Sequence, residues 1–439
     1  MKNVLLYALI MLASGVLTWQ CQDTPPQTET DVAIPALLER SAGIGPDGEL
    51  AQIQSMYREL VSKVRADPND LNARLNLAEL LMQEARISGE HGHYYPGILT
   101  LLETVVTEKP NPAQKYRALV DKASVQMSLH QFEAARATAT EAVQINPNEA
   151  SIYGVLVDAN VELGHYEQAV EMADKMVSIR PDIRSYSRIS YLREIYGQVA
   201  GAIEAMKLAV SAGYPGMEQT EWARLNLGQL YLRYGMIDSA RLQFQLALSA
   251  RPNYPFAIAA MAGLEALQGR QAEADRLMDQ ACALIPEVGF FVEKAKWEKE
   301  KGNVKGSGAL TKEILAMLAD DEQSGHMMGL EYARVYLDLL GDPQKALEYA
   351  LTEYRTRPDN IDVNRSLATI YYHSGNIKLA GEHLQKAMRT HSRSPELTCL
   401  EGLIKAKSGK VSDGRILIRK AFTANLYLEC SFCNEAKAL

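Results

Sequence analysis

Eight glycines, Gly164, Gly197, Gly235, Gly269, Gly302, Gly341, Gly375 and Gly409, recur at intervals of about 34 residues. Each is followed five residues later by a small residue, and most by a proline near the end of the unit. The fullest unit runs Leu227, Gly228, Tyr231, Gly235, Ala240, Phe244, Ala247 and Pro252. Such a period is too long for one helix or strand, so each unit is a supersecondary element that buries its apolar face against its neighbours. The landmarks fit two antiparallel helices. Glycine takes the left-handed conformation that ends the first helix, alanines such as Ala262, Ala274 and Ala281 let helices approach closely, and proline stops the second helix.

The landmarks resemble those of the tetratricopeptide repeat (TPR), so the expected fold is all-α, a TPR α-solenoid forming a right-handed superhelix of about ten helix hairpins. A hairpin from about Ala113 carries Phe132, Ala135, Ala142 and Pro147, with His130 in the glycine position, and the next carries Gly164, Tyr166, Ala169 and Pro181. The unit at Gly302 is degraded, because Ser307 replaces the usual alanine and Gly306 and Gly308 weaken the second helix. The first hairpin, from about Asp70 to Pro110, is expected to have a stretched turn over residues 86–96. Extra residues at 211–220 and 319–325 leave the curvature of the stack open. Upstream, Leu50, Ile53, Met56, Tyr57, Leu60, Val61 and Val64 keep helical spacing before Pro68 and predict a capping helix. No segment alternates as a strand would.

Residues 1–20 join Lys2 to an apolar run from Val4 to Leu17, short for a membrane span and of the length of a secretory signal. Cys21 follows, then a polar, proline-containing stretch that cannot bury a core. The order of signal, cysteine, tether and folded domain resembles that of a bacterial lipoprotein, which implies lipidation at Cys21, although Thr18, Trp19 and Gln20 stand where a small residue usually precedes the cysteine. Simple cleavage or a retained anchor is the alternative. The expected organisation is a signal peptide at 1–20, a flexible tether at 21–48, a capping helix at 49–68, a repeat array at 69–430 and a tail at 431–439. The expected location is the cell envelope, on its periplasmic or outer-membrane face.

The formal charge is −8, and without Lys2 the remainder carries 45 basic against 54 acidic residues, or −9. That balance argues against nucleic acid as a partner, which needs a basic face. The chain has no GxxxxGK[ST], HExxH or GxSxG, so no signature for phosphate cradling, zinc hydrolysis or a serine nucleophile is present. Gly43, Gly45 and Gly48 have dinucleotide-fingerprint spacing but follow no strand, and read as linker. No cofactor and no reaction is expected.

Five cysteines remain. Cys282 falls at a hairpin-core position, while Cys399, Cys430 and Cys433 are brought together at the C-terminal end by repeat geometry. These three are open to a structural disulfide, to unpaired core thiols, or to a metal or redox pair. His91 and His93, in the stretched turn, are the other metal candidates; a metal-handling accessory role is the alternative function.

In TPR proteins ligands lie in the concave groove lined by the first helices. The matching positions here are Arg184, Arg188 and Tyr191; Trp222, Asn226, Gln229 and Arg233; and Arg365, Thr369 and Tyr372. Arginines beside aromatics suit a carboxylate-bearing or extended peptide, so the expected partner is a protein or peptide. Residues 184–188 resemble one repeat of the carboxylate-clamp TPRs, but Val120, Ser124 and Val155 stand where that family places lysine or asparagine, which removes the rest of the clamp. Residues 85–96, 153–158, 180–186 and 212–223 resemble a family of exported bacterial TPR proteins, a likeness that runs from about Gln52 to Lys420. It implies fold and compartment and carries no reaction.

Overall fold

The computed structural model describes residues 34–41 and 43–439. Among them there are helices and no strands. A first helix, α1 (Glu49–Ala66), leads into ten hairpins: α2 (Leu71–Ser88) with α3 (His91–Thr107), α4 (Pro112–Ser128) with α5 (Phe132–Ile145), α6 (Ala150–Leu163) with α7 (Tyr166–Ile179), α8 (Ile183–Ile195) with α9 (Val199–Ser211), α10 (Glu218–Arg233) with α11 (Ile237–Ala250), α12 (Pro255–Leu267) with α13 (Gln271–Leu284), α14 (Val288–Glu300) with α15 (Val304–Gln323), α16 (Gly329–Asp338) with α17 (Pro343–Thr356), α18 (Ile361–His373) with α19 (Ile377–Ala387), and α20 (Pro395–Lys407) with α21 (Val411–Ala424). A short helix, α22 (Cys433–Lys437), closes the end.

The landmarks act as their chemistry requires. All eight period glycines have positive φ, and His130, in the same slot, is left-handed at φ 58°. Asp70, Asn111, Asp182 and Asn360 cap their helices by accepting from the first-turn N–H groups. Phe244 fills the space left by Gly228, where a Cβ would stand 2.3 Å from the ring. Ala240 and Ala247 are fully buried beside it. Over most of the stack the first helices of successive hairpins pack on one another, and each second helix packs on its own hairpin partner and on the first helix of the next hairpin. The first helices therefore line the inside of the curve. Around α14 and α15 the stacking on neighbouring hairpins thins, yet α15 runs unbroken through Gly306 and Gly308, so the expected weakening of this second helix is not seen.

The curve is tight enough for its second turn to rest on its first. His130 Nδ1 pairs with the Met327 carbonyl at 2.9 Å, 197 residues on. Arg357 donates to Glu162 at 2.5 Å and the Ile361 N–H to the Tyr166 hydroxyl at 2.8 Å, both 195 residues apart. Asn360 Nδ2 donates to the Glu162 carbonyl at 2.9 Å, Thr390 to the Ile195 carbonyl at 2.7 Å and Asn425 to the Leu232 carbonyl at 3.1 Å. A separation this constant corresponds to about six hairpins of 34 residues per turn. The intra-hairpin turns of one superhelical turn thus dock on the inter-hairpin loops of the next.

Three expectations change. The tether expected over 21–48 is in its second half a strap fixed to the solenoid: Leu38 N–H donates to the Tyr94 hydroxyl at 2.9 Å, Ser41 to the Leu284 carbonyl at 2.8 Å, and Arg40 pairs with Glu84 and Glu49. Residues 21–33, with the signal segment and Cys21, lie outside the described residues. The stretched turn at 86–96 is absent, because Gly89 at φ 76° ends α2 and α3 begins at His91. The tail at 431–439 is a docked cap, with Phe432, Cys433 and Ala436 buried against Leu400, Leu403 and Tyr372.

Candidate functional site on the inner wall

The contacts between superhelical turns close the inner groove laterally. Arg86 of the first hairpin reaches Glu218 of the fifth at 3.7 Å. Tyr191 shows the character of the wall. Its ring is 38% exposed, yet its hydroxyl is pushed well above the ordinary tyrosine value by desolvation, then by Asp362 and Glu162. Water reaches the ring while protein surrounds it.

The residues expected to bind divide into free and engaged groups. Arg188 is engaged: it donates to Asp158 Oδ1 at 2.9 Å and Oδ2 at 2.5 Å and to the Gly154 carbonyl at 3.1 Å. Arg233 forms a two-pronged pair with Glu194, both bonds at 2.7 Å. Arg365 pairs with Asp362 at 3.0 Å and lies 3.9 Å from Glu396; Asp362 is the leading cause that raises its pKa. Asn226 Nδ2 bonds the Trp222 carbonyl and Thr369 the Arg365 carbonyl, one turn back in each helix. Gln229 is half-buried. Tyr372 is a correction: at 2% exposed it is a core residue, its hydroxyl donating to Glu435 at 2.7 Å and its ring lying under Lys407.

Arg184, Tyr191 and Trp222 remain available. Trp222 is 45% exposed. Arg184 is exposed, and its guanidinium makes no salt bridge among the described residues. Its pKa is held below the ordinary arginine value by burial, then by Arg188 and Arg86. Asp182 acts on it from nearby without a salt-bridge contact, and an arginine crowded by other arginines with no carboxylate in contact is an open anion position.

Sequence reasoning missed the acidic partners that neutralise the other arginines: Asp158 and Glu194 sit on the first helix of the preceding hairpin, and Asp362 one turn back on the same helix. It also missed Asp121 on α4. One of its carboxylate oxygens is buried without a partner, and its carboxyl is pushed up to about 7, by burial first and by Glu79 second.

His91 and His93 do not converge. His91 stacks on Tyr95 with ring centres 5.1 Å apart and faces His326 at 6.2 Å, while His93 Nε2 pairs with the Ala36 carbonyl at 2.8 Å. No third ligand joins them among the described residues. The reason is local: the two histidines are neighbours two apart on a helix, where side chains diverge. The three C-terminal cysteines do meet, with Cys430 and Cys433 in a disulfide and Cys399 free and buried. Cys282 is a half-buried thiol pushed up to about 11, chiefly by desolvation.

Residues 116–149 and 150–183 match the family model of the tetratricopeptide repeat. With the hairpin series, this defines the fold as a TPR-type α-solenoid. The chain is similar to cellulose synthase operon protein C of Pseudomonas fluorescens (strain SBW25), 24% identical over 178 residues, which are 38% of this chain and 14% of that protein. It is also similar to small glutamine-rich tetratricopeptide repeat-containing protein 2 of Saccharomyces cerevisiae, 34% identical over 82 residues, 18% of this chain and 24% of that one. The chain thus spans 14% and 24% of the lengths of these relatives. Among solved structures, a thermophilic TPR protein of Thermus thermophilus superposes with a TM-score of 0.38 at 24% identity, over 46% of this chain and 98% of that one.

Proposed function

We propose that this chain is a non-catalytic scaffold of the bacterial cell envelope that binds an extended peptide segment bearing carboxylates within the lumen of its solenoid. The observation that carries the reading is Arg184, an inner-wall guanidinium without a carboxylate partner, on the same wall as the exposed rings of Tyr191 and Trp222. An anionic group on the peptide would take the position that Arg188, Arg233 and Arg365 have already filled with Asp158, Glu194 and Asp362. The aromatic faces supply apolar anchorage for its side chains.

The envelope assignment rests on the sequence, through the apolar run from Val4 to Leu17 and Cys21 as the lipidated residue. No helix among the described residues is long and apolar enough to cross a membrane. In this reading a lipid at Cys21 supplies the attachment, and firm anchoring takes more than one acyl chain.

The test is retrieval of partners from the native envelope with the wild type and with an Arg184→Ala, Arg188→Ala, Trp222→Ala variant, read by mass spectrometry. A partner held by wild type and lost by the folded variant supports lumen binding. Identical partner sets contradict it.

A further inference from the structure

We propose that Cys399, Cys430 and Cys433 form a three-thiolate site for a thiophilic d10 ion, Zn(II) or Cu(I), in the state where the Cys430–Cys433 disulfide is reduced. The three sulfurs all lie within 4.8 Å of one another. Thiolates on a tetrahedral zinc, with bonds of about 2.3 Å, stand ~3.8 Å apart, so all three can share one ion after small rotations.

The third sulfur carries the argument. A structural disulfide needs two cysteines, and Cys430 and Cys433 already satisfy it. Cys399 comes from the first helix of the last hairpin, yet its thiol is fully buried at the junction with the cap, within reach of both partners. The donor set is soft throughout. Glu435, the carboxylate on the cap helix, is spent on Tyr372 at 2.7 Å and Lys407 at 2.9 Å, and the surrounding Leu400, Leu403 and Phe432 offer no oxygen ligand. Such a site selects against calcium and magnesium and favours thiolate-seeking ions.

A dithiol reductant delivers two electrons and two protons to the disulfide, the S–S bond breaks to give two thiols, and the reductant leaves as its own disulfide. The ion then binds as the three thiols release their protons to water. Three thiolates complete a trigonal Cu(I) site. Zinc takes water as its fourth ligand from the side of Cys430, which is half-exposed. The cap over Leu403 is held by a disulfide under oxidising conditions and by the ion under reducing ones.

The test uses the full chain, reduced anaerobically with a non-coordinating phosphine that is then removed. It is titrated with Co(II) as the spectroscopic probe for zinc, and with Cu(I) against a chromophoric chelator. The proposal expects one ion per chain, a thiolate-to-cobalt charge-transfer band for the zinc-type arm, and no uptake by the oxidised protein. Cys399→Ala should weaken binding about 100-fold or more, since even outer-shell partners of a metal are worth 10–100-fold. Cys282→Ala should leave it unchanged. Because Cys399 is in the core, Cys430→Ser at a half-exposed position serves as the second variant, with circular dichroism confirming the fold of both. Equal uptake by oxidised and reduced protein, or wild-type affinity in both folded variants, would overturn the proposal.

Discussion

Arg357 donates to Glu162 at 2.5 Å across 195 residues of chain, joining the end of the eighth hairpin to the turn of the third. The same guanidinium holds Glu353 at 2.8 Å and lies over the ring of Phe132, 4.8 Å from its centre. Neighbouring contacts repeat the arrangement at Gly164, Ile195 and Leu232. An open solenoid exposes its concave face along one side, whereas this seam converts the face into a lumen entered from its ends.

Tyr166→Phe tests the seam with the least disturbance. The ring is buried, and its hydroxyl accepts from the Ile361 N–H of the next turn. Removing the oxygen leaves that donor unsatisfied, at a cost of about 1–3 kcal/mol. Urea unfolding should show the loss, and small-angle scattering should show a wider particle if the turns separate.

The turn glycines should differ by superhelical turn. A Cβ on Gly164 would stand 2.5 Å from the Asp359 backbone, while Gly375, also left-handed, has open space around it. Gly375→Ala should cost only the left-handed penalty of about 1–2 kcal/mol. Gly164→Ala should add an overpacking cost of about 1–3 kcal/mol. Paired denaturation midpoints read the difference, and equal losses would speak against the seam.

Asp121 gives a pH signature. Its carboxyl binds a proton more tightly in the fold, at about 7, than at the ordinary 3.8. Its protonation therefore stabilises the fold fully below 3.8, and that contribution is lost as pH rises through 7. Asp121→Asn, which cannot ionise, should raise stability at pH 8 by about 1 kcal/mol or more, and far less at pH 4. The check is denaturation of both proteins at the two pH values.

Arg40 ties the strap to the body. Its side chain and that of Glu84 are each 1% exposed. Arg40→Ala would strand a buried carboxylate at a cost of about 3–5 kcal/mol. Limited proteolysis should then cut residues 35–45, which the wild type protects.

The hairpins were readable in the sequence because their determinants are local: glycine ends a helix, alanine admits a neighbour, and an apolar stripe recurs at helical spacing. Even His130 in the glycine slot was readable, and it adopts the left-handed turn. The seam was not, because it depends on a small rotation per hairpin summed over six of them. The same limit explains the site. Position within the repeat placed Arg184, Arg188, Tyr191 and Trp222 on first helices, but whether an arginine is free depends on a carboxylate one hairpin away, as Asp158 is for Arg188 and Glu194 for Arg233. Tyr372 was misplaced because the cap brings Glu435 over it.

The lumen is tested most directly by replacing Trp222 with a photo-crosslinking phenylalanine derivative and irradiating the protein in its native envelope. Leu246, exposed on the second helix of the same hairpin, carries the crosslinker as the outer-face control. The expected result is an adduct with a defined protein partner from position 222, lost on Arg184→Ala and absent from position 246. Adducts from position 246 alone, or adducts from position 222 that persist without Arg184, would contradict it.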